Sequence, residues 1–147
     1  MSTLRVVADT NVVVSAFLWG GKPRRLIELG INQLVTLVTS ETLLHELADV
    51  LSRRKCKSQL LQLDLSVEDL LTAYRRFCEI ARHAEIRPTV RKDSDDDAVL
   101  ACALGGAADY IVTGDAHLLN LKHYHAIPIL AVNEFLALLA LPNETTL

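Results

Sequence analysis

Three groups of acidic side chains lie where a predicted strand ends or a helix begins, and a fourth acid lies within a predicted helix. Asp9 follows an apolar strand at 4–8, and Asp115 follows a second one at 110–112. In an open parallel sheet, ligands bind beyond the carboxyl ends of the strands, near the point where the strand order reverses. Glu46 lies in a helix that follows another predicted strand. With a rotation of about 100° per residue around the helix axis, Glu46 is at the edge of the apolar stripe of that helix. The last group opens a later helix and contains Asp93, Asp95, Asp96 and Asp97.

Carboxylates gathered in this way predict a metal centre. Several of them at one site repel one another, so a bound cation is needed to keep them ionised. Oxygen ligands with few imidazoles or thiolates suit Mg²⁺ or Mn²⁺ better than zinc. Such an ion can activate a water molecule and neutralise charge on a phosphoryl group. The predicted reaction is metal-assisted hydrolysis of a phosphodiester.

Each acid also has an ordinary structural interpretation. Asp9 and Asp115 can cap the helices that follow them, and Ser94 with Asp97 has the spacing of a capping box. Glu46 can be a solvated helical glutamate. Periodicity does not choose among the aspartates at 95–97. The joint placement of the acids at strand ends is what favours a shared site.

The elements that position these acids alternate between strand and helix. We predict strands at 4–8, 34–38, 84–87, 110–112 and 127–130, and helices at 11–19, 23–31, 41–51, 67–81, 95–104, 116–121 and 132–139. Ser40 and a Ser66–Asp69 capping box begin two of the helices, residues 53–57 form a basic break, and the pairs Gly20-Gly21 and Gly105-Gly106 end helices. Apolar strands of this kind predict an α/β fold, a three-layer α/β/α sandwich with a central parallel sheet. We place one domain at 1–141 and a frayed tail at 142–147.

Composition excludes several other classes of protein. A chain of 147 residues and 16.2 kDa suits one domain, and a net charge of −3 excludes a polybasic nucleic-acid binder. The apolar N-terminal segment contains Asp9 and Asn11 and is too short for a membrane helix, so we expect neither a signal peptide nor a membrane span. Three widely spaced cysteines without a CxxC motif predict buried or unreactive thiols in a reducing cytoplasm.

Four short motifs resemble those of the PIN-domain nucleases, in the same order. They are DTNV at 9–12, SE with a following EL at 40–47, DAVLA at 97–101 and VTGD at 112–115. The resemblance spans about residues 4 to 137. The longer string KDSDDD at 92–97 resembles a bacterial branch described as the toxins of toxin–antitoxin pairs (VapC-like).

This resemblance implies a ribonuclease that depends on Mg²⁺ or Mn²⁺. Its catalytic and metal-binding acids map onto Asp9, Glu46, Asp97 and Asp115, and Asp97 is chosen because it begins the family's D-x-x-(L/I)-A motif. Asn11 and Thr113 match polar positions beside the first and fourth acids and are expected to support them. Many relatives carry a further acid after the fourth, where this chain has HLLN at 117–120, which argues against a fifth ligand.

Substrate and partners follow from the same resemblance. The basic side chains chosen as possible contacts to an RNA backbone are Lys22, Arg24, Arg25, Arg91 and Lys92, because they lie nearest the proposed site in the sequence, although such runs are more often solvated surface. A homodimer is implied, with the helix at 12–19 and the last helix as candidate contacts or, equally, core. A small antitoxin protein would block the site, for example by inserting a basic side chain among the carboxylates.

Two other functions remain open. One is a nucleic-acid-binding module on the same fold without turnover, and the other is a small carboxylate-metal phosphatase acting on phosphate monoesters.

His123 and His125 lack a third ligand nearby in the sequence, so we expect them to be surface residues.

Overall fold

Six strands form one sheet in the computed structural model, which describes residues 3–82, 84 and 94–145. The strand order is β3-β2-β1-β4-β6-β5, and every neighbouring pair is parallel except β5 with β6. The strands are β1 (Leu4–Ala8), β2 (Val35–Thr39), β3 (Cys78–Ile80), β4 (Tyr110–Val112), β5 (His123–Tyr124) and β6 (Ile127–Leu130).

Eight helices, counted over the described part of the chain, cover both faces of this sheet. They are α1 (Thr10–Leu18), α2 (Gly21–Ile31), α3 (Glu41–Leu51), α4 (Arg54–Gln62), α5 (Val67–Phe77), α6 (Ser94–Gly105), α7 (Ala116–Leu121) and α8 (Val132–Thr145). The predicted three-layer α/β fold with a mostly parallel sheet is confirmed. The predicted limits of the domain and of its tail stay predictions.

The strand order reverses between β1 and β4. From β1 the chain moves outward to β2 and β3, and it then returns to add β4 on the opposite side of β1. Ala8 pairs with Val112 at the ends of these two strands. The residues that follow, Asp9 and Thr113, therefore emerge side by side at the crevice where ligands bind in open α/β sheets.

The core lies in two layers because successive side chains of a strand point to opposite faces. On β1, Val6 and Ala8 belong to the layer that includes α1, whereas Val7 belongs to the layer that includes α6. The apolar side chains of α1, among them Val12 and Val13, are buried in the first layer. Of the two alternatives for α1, contact surface or core, the structure shows core.

Arg5 connects elements that are distant in the sequence. Its guanidinium donates two hydrogen bonds to the Glu79 carboxylate, at 2.8 and 3.0 Å, and a third to the carbonyl of Gly106 at 2.9 Å. The hydrogen bond with Arg5 lowers the pKa of the Glu79 carboxyl below its ordinary value. β1, β3 and the end of α6 are thereby held together across β2.

Several elements differ from the sequence predictions. The last helix, predicted at 132–139, is longer and extends to Thr145. The basic break at 53–57 is instead the start of α4, because Cys56 and Leu60 bury one face of that helix and Gln59 donates a hydrogen bond to the carbonyl of Leu18. The helix predicted to end at Ala81 ends at Phe77, and β3 follows because it pairs with β2. The two-residue strand β5 was not predicted. The predicted strand at 84–87 lies, apart from Ala84, outside the described residues.

The two glycines at the end of α6 do not have the left-handed conformation that commonly ends a helix. Neither has a positive φ; the left-handed residue is Ala107, at φ 51°. A Cβ atom at Gly106 would lie 2.7 Å from Cγ1 of Val38 and 2.9 Å from Cβ of Ala81. The glycine is therefore needed for close packing of α6 on the sheet, and Ala107 carries the backbone strain.

We expect Ala107→Gly to stabilise the protein. Glycine adopts a left-handed conformation without the steric cost that alanine has, so the free energy of unfolding should rise by about 0.5–1 kcal/mol. The matched control is Ala137→Gly, at an exposed position within α8, which should lower the same quantity by about 1 kcal/mol. Urea denaturation of the three proteins measures both changes. A loss of stability in Ala107→Gly would contradict the role assigned to this residue.

Within the described residues, no helix has both the length and the apolar character needed to cross a bilayer.

Candidate metal centre

Asp9 lies at the carboxyl end of β1, in the N-cap position of α1. Its backbone N–H donates to the carbonyl of Val112 at 2.9 Å, which holds it against the end of β4. Its carboxylate makes no capping hydrogen bond to α1. Instead, Oδ2 accepts a hydrogen bond from the Thr113 hydroxyl at 2.7 Å, and the residue is 6% exposed. The structure therefore does not support the capping interpretation of Asp9.

Thr113 connects the two predicted acids that follow β1 and β4. Its side chain is fully buried, and Oγ1 both donates to Asp9 and accepts from the backbone N–H of Asp115 at 3.0 Å. The predicted supporting role of Thr113 thus has a geometric basis. Asn11 is exposed in the first turn of α1.

Asp115 is the N-cap residue of α7. Its Oδ1 accepts hydrogen bonds from the backbone N–H groups of His117 at 2.7 Å and Leu118 at 3.3 Å. The capping interpretation is thus correct for this acid, but it involves only Oδ1. Because the cap fixes the orientation of the carboxylate, Oδ2 is held in a defined position outside the cap.

Asp115 also belongs to a group of three side chains that can hold a metal ion. One ligand atom each from Asp96, Asp115 and His117 lies within 4.8 Å of the others. Asp96 comes from α6 and is 4% exposed, whereas His117 is exposed. Two ligands on opposite sides of a Mg²⁺ ion are about 4.2 Å apart, since each lies at about 2.1 Å. Three ligands cannot all be opposite one another, so the donor set fits a divalent cation once the side chains move closer together.

The other predicted acids lie on neighbouring elements but outside this group. Glu46 is half-buried on α3, and Asp97 is half-buried in the first turn of α6, which packs against α3, β1 and β4. Asp49, by contrast, is exposed on the solvent side of α3. The roles of Glu46 and Asp97 stay predictions.

Sequence reasoning missed two members of the group. Asp96 is one of three aspartates that periodicity does not separate, and the family motif favours its neighbour Asp97. His117 begins the string HLLN, which stands where many relatives carry an acid, and the sequence analysis argued against a fifth ligand there. The spacing Asp115-x-His117 was nevertheless visible, and a neutral imidazole is itself a common metal ligand.

The cysteines are not suited to this centre. Burial raises the pKa of the Cys78 thiol to about 12 and that of the Cys102 thiol to about 11. Both therefore keep their protons at neutral pH, and only a thiolate binds metal. Cys78, Cys102 and the buried Cys56 are free cysteines that form no disulfide.

The predicted RNA-contacting residues of α2 lie away from Asp9 along the chain. α1 starts beside Asp9 and is nine residues long, about 13 Å, and α2 follows at its far end. Lys22 and Arg25 are exposed there. Arg24 donates to the carbonyls of Ala16 and Phe17, at 3.2 and 3.4 Å, so part of its hydrogen bonding is structural. Arg91 and Lys92 lie outside the described residues.

The acids at the β1–β4 crevice lie in a segment of the chain that matches a known domain family. Residues 5–117 match the PIN domain. The chain belongs to the PIN-domain family. PIN domains are generally nucleases and use divalent metal ions, in agreement with the donor set found here. Neither the curated proteins nor the solved structures yield a match to this PIN domain.

We expect Thr113→Val to destabilise this PIN domain. The substitution keeps the shape but removes the donor to Asp9 and the acceptor for the Asp115 N–H, both at a buried position, so the free energy of unfolding should fall by about 1–3 kcal/mol. Thr113→Ser keeps the hydroxyl and should cost about 1 kcal/mol, from one lost methyl group. Thermal and urea unfolding compare the two variants. A valine variant as stable as the wild type would show that the hydroxyl is not the important group.

Proposed function

We propose that this PIN domain is an endoribonuclease that hydrolyses RNA phosphodiester bonds and requires Mg²⁺ or Mn²⁺. The observation that carries the proposal is the pairing of two aspartates, Asp9 and Asp115, through the buried hydroxyl of Thr113 at the strand-order reversal. The Asp115 carboxylate lies within reach of that of Asp96, and two such carboxylates are unfavourable to keep ionised without a cation. A nuclease family supplies the reaction class.

The acids proposed to be catalytic and metal-binding are Asp9, Glu46, Asp115 and one aspartate of α6. Asp97 is the residue that the motif predicts. Asp96 is the stronger candidate because its carboxylate lies within reach of Asp115 and His117. The pair Asp96 and Asp97 therefore has to be tested residue by residue.

Each proposed residue has a separate task. When bound, the divalent ion supplies an activated water and neutralises charge on the phosphate. The Thr113 hydroxyl stabilises the ionised form of Asp9 by donating to Oδ2, despite the burial of that carboxylate. The two backbone N–H groups of α7 orient the Asp115 carboxylate, which limits the movement that it needs to bind the ion.

We further propose that the enzyme is the cytoplasmic toxin of a toxin–antitoxin pair, that it forms a homodimer, and that a small antitoxin protein blocks the acidic site. The motif at 92–97 supports the toxin assignment. α8 is the remaining candidate for the dimer contact, since α1 is core and Leu138 of α8 is exposed. RNA is the proposed substrate because the resemblance is to ribonucleases.

Removal of the Asp9 carboxylate tests the activity. We expect Asp9→Asn to lower kcat/KM for single-stranded RNA in Mn²⁺ by at least about 100-fold, because the ion loses a charged ligand. The matched control is Asp49→Asn, an exposed aspartate that should keep full activity. Cleavage is followed on labelled RNA, and a chelator should abolish it in the wild type.

Other outcomes of this assay identify the alternatives. RNA retained by the protein without cleavage would indicate a binding module. Hydrolysis of a small phosphate monoester, with RNA left intact, would indicate a phosphatase. Equal cleavage by wild type and Asp9→Asn would contradict the proposed role of Asp9.

The salt dependence of RNA binding tests the basic residues of α2. If Lys22 or Arg25 neutralises one phosphate, its replacement by Gln should make the slope of log K against log salt shallower by about 0.7. The binding assay is done in the Asp9→Asn background, so that RNA remains intact. Lys57→Gln, an exposed lysine on α4, is the matched control. Unchanged slopes in both α2 variants would place the RNA backbone elsewhere.

A further inference from the structure

We infer that His117 is an imidazole ligand of the metal centre and that it makes this centre select Mn²⁺ over Mg²⁺. The inference rests on the proposed function only in placing the ion at the same group of acids. It assigns a ligand to a side chain that neither the motif pattern nor the family match marks as one.

The position of His117 is set by the residues around it. It lies in the first turn of α7, two residues after Asp115, and its own backbone N–H is bound by the Asp115 carboxylate at 2.7 Å. The next residue, Leu118, is fully buried in the core and anchors the helix. The backbone of His117 is thus fixed beside the carboxylate that it is proposed to accompany.

The three donor side chains differ in how far they can move, and this difference suits a binding site. Asp96 is buried in the first turn of α6, and Asp115 is oriented by its cap. His117 is exposed, so its ring can rotate to complete the set without moving the core. All three ligand atoms already lie within 4.8 Å of one another.

The mixed donor set determines which ion is preferred. Mg²⁺ is a small, hard cation that favours oxygen ligands and gives up its water reluctantly. Mn²⁺ also favours oxygen ligands and is the weakest binder of the first-row series, but as a transition ion it accepts an imidazole nitrogen more readily than Mg²⁺ does. Replacing an acid by histidine therefore lowers the charge offered to Mg²⁺ and adds a nitrogen that Mn²⁺ accepts. Mn²⁺ should benefit from His117, whereas Mg²⁺ should gain little.

The inference is tested by metal binding to the full chain in the absence of RNA. Calorimetric titration of wild type should give a Kd for Mn²⁺ that is smaller than that for Mg²⁺ by about tenfold or more. His117→Ala should weaken Mn²⁺ binding by about tenfold and Mg²⁺ binding by less than about threefold. His117→Asp should restore binding of Mg²⁺ and bring the two Kd values closer together. His123→Ala, which removes another exposed histidine, should change neither Kd.

A spectroscopic measurement reports the ligand directly. Electron spin echo modulation of the Mn²⁺-loaded protein should show coupling to a ring nitrogen in wild type and in His123→Ala. The same coupling should be absent from His117→Ala and His117→Asp. Circular dichroism of the metal-free variants confirms that each one is folded before titration.

Two results would overturn the inference. One is nitrogen coupling that persists without His117, and the other is an equal loss of Mn²⁺ and Mg²⁺ affinity in His117→Ala. The proposed function fails separately from it. Mn²⁺ bound through His117 in a protein that does not cleave RNA refutes the ribonuclease alone. RNA cleavage with an unchanged metal preference in His117→Ala refutes the histidine ligand alone.

Discussion

The hydroxyl of Thr113 is the interaction on which the site depends. It joins the carboxylate that ends β1 to the backbone of the residue that follows β4, and it is fully buried. A buried carboxylate is costly unless donors stabilise its charge. Threonine supplies one donor and one acceptor at the same atom, so a single side chain both stabilises Asp9 and positions Asp115. The adjacent, parallel pairing of β1 and β4 is what makes this interaction possible.

Close packing of α6 on the sheet is the second requirement. The helix brings Asp96 to the crevice from the face opposite α1, and its far end approaches β2 so closely that Gly106 has no room for a side chain. Arg5 secures the same region by joining the Gly106 carbonyl to Glu79. The position of an acid at one end of α6 is thus linked to packing at the other, about 18 Å away for a helix of twelve residues.

Most of the fold was accessible from periodicity, and the exceptions share a cause. The apolar pattern of the local sequence is enough to predict most helices and the strands β1, β2, β4 and β6. β3 has only three residues, whose pattern continues that of α5, and pairing with β2 decides its conformation. α4 has three basic residues among its first four, which are good helix formers, and burial of Cys56 decides that they form a helix.

The sequence by itself determined that acids follow β1 and β4, and that Thr113 stands beside one of them, because strand ends and their following residues are local properties. Only the tertiary structure decided which aspartate of α6 meets Asp115. The residues after Asp97 are apolar on every side of the helix, so no stripe reveals which direction is inward. It also decided that His117 stands with these acids, since a ligand group is defined by distances between atoms from separate elements and not by spacing along one chain.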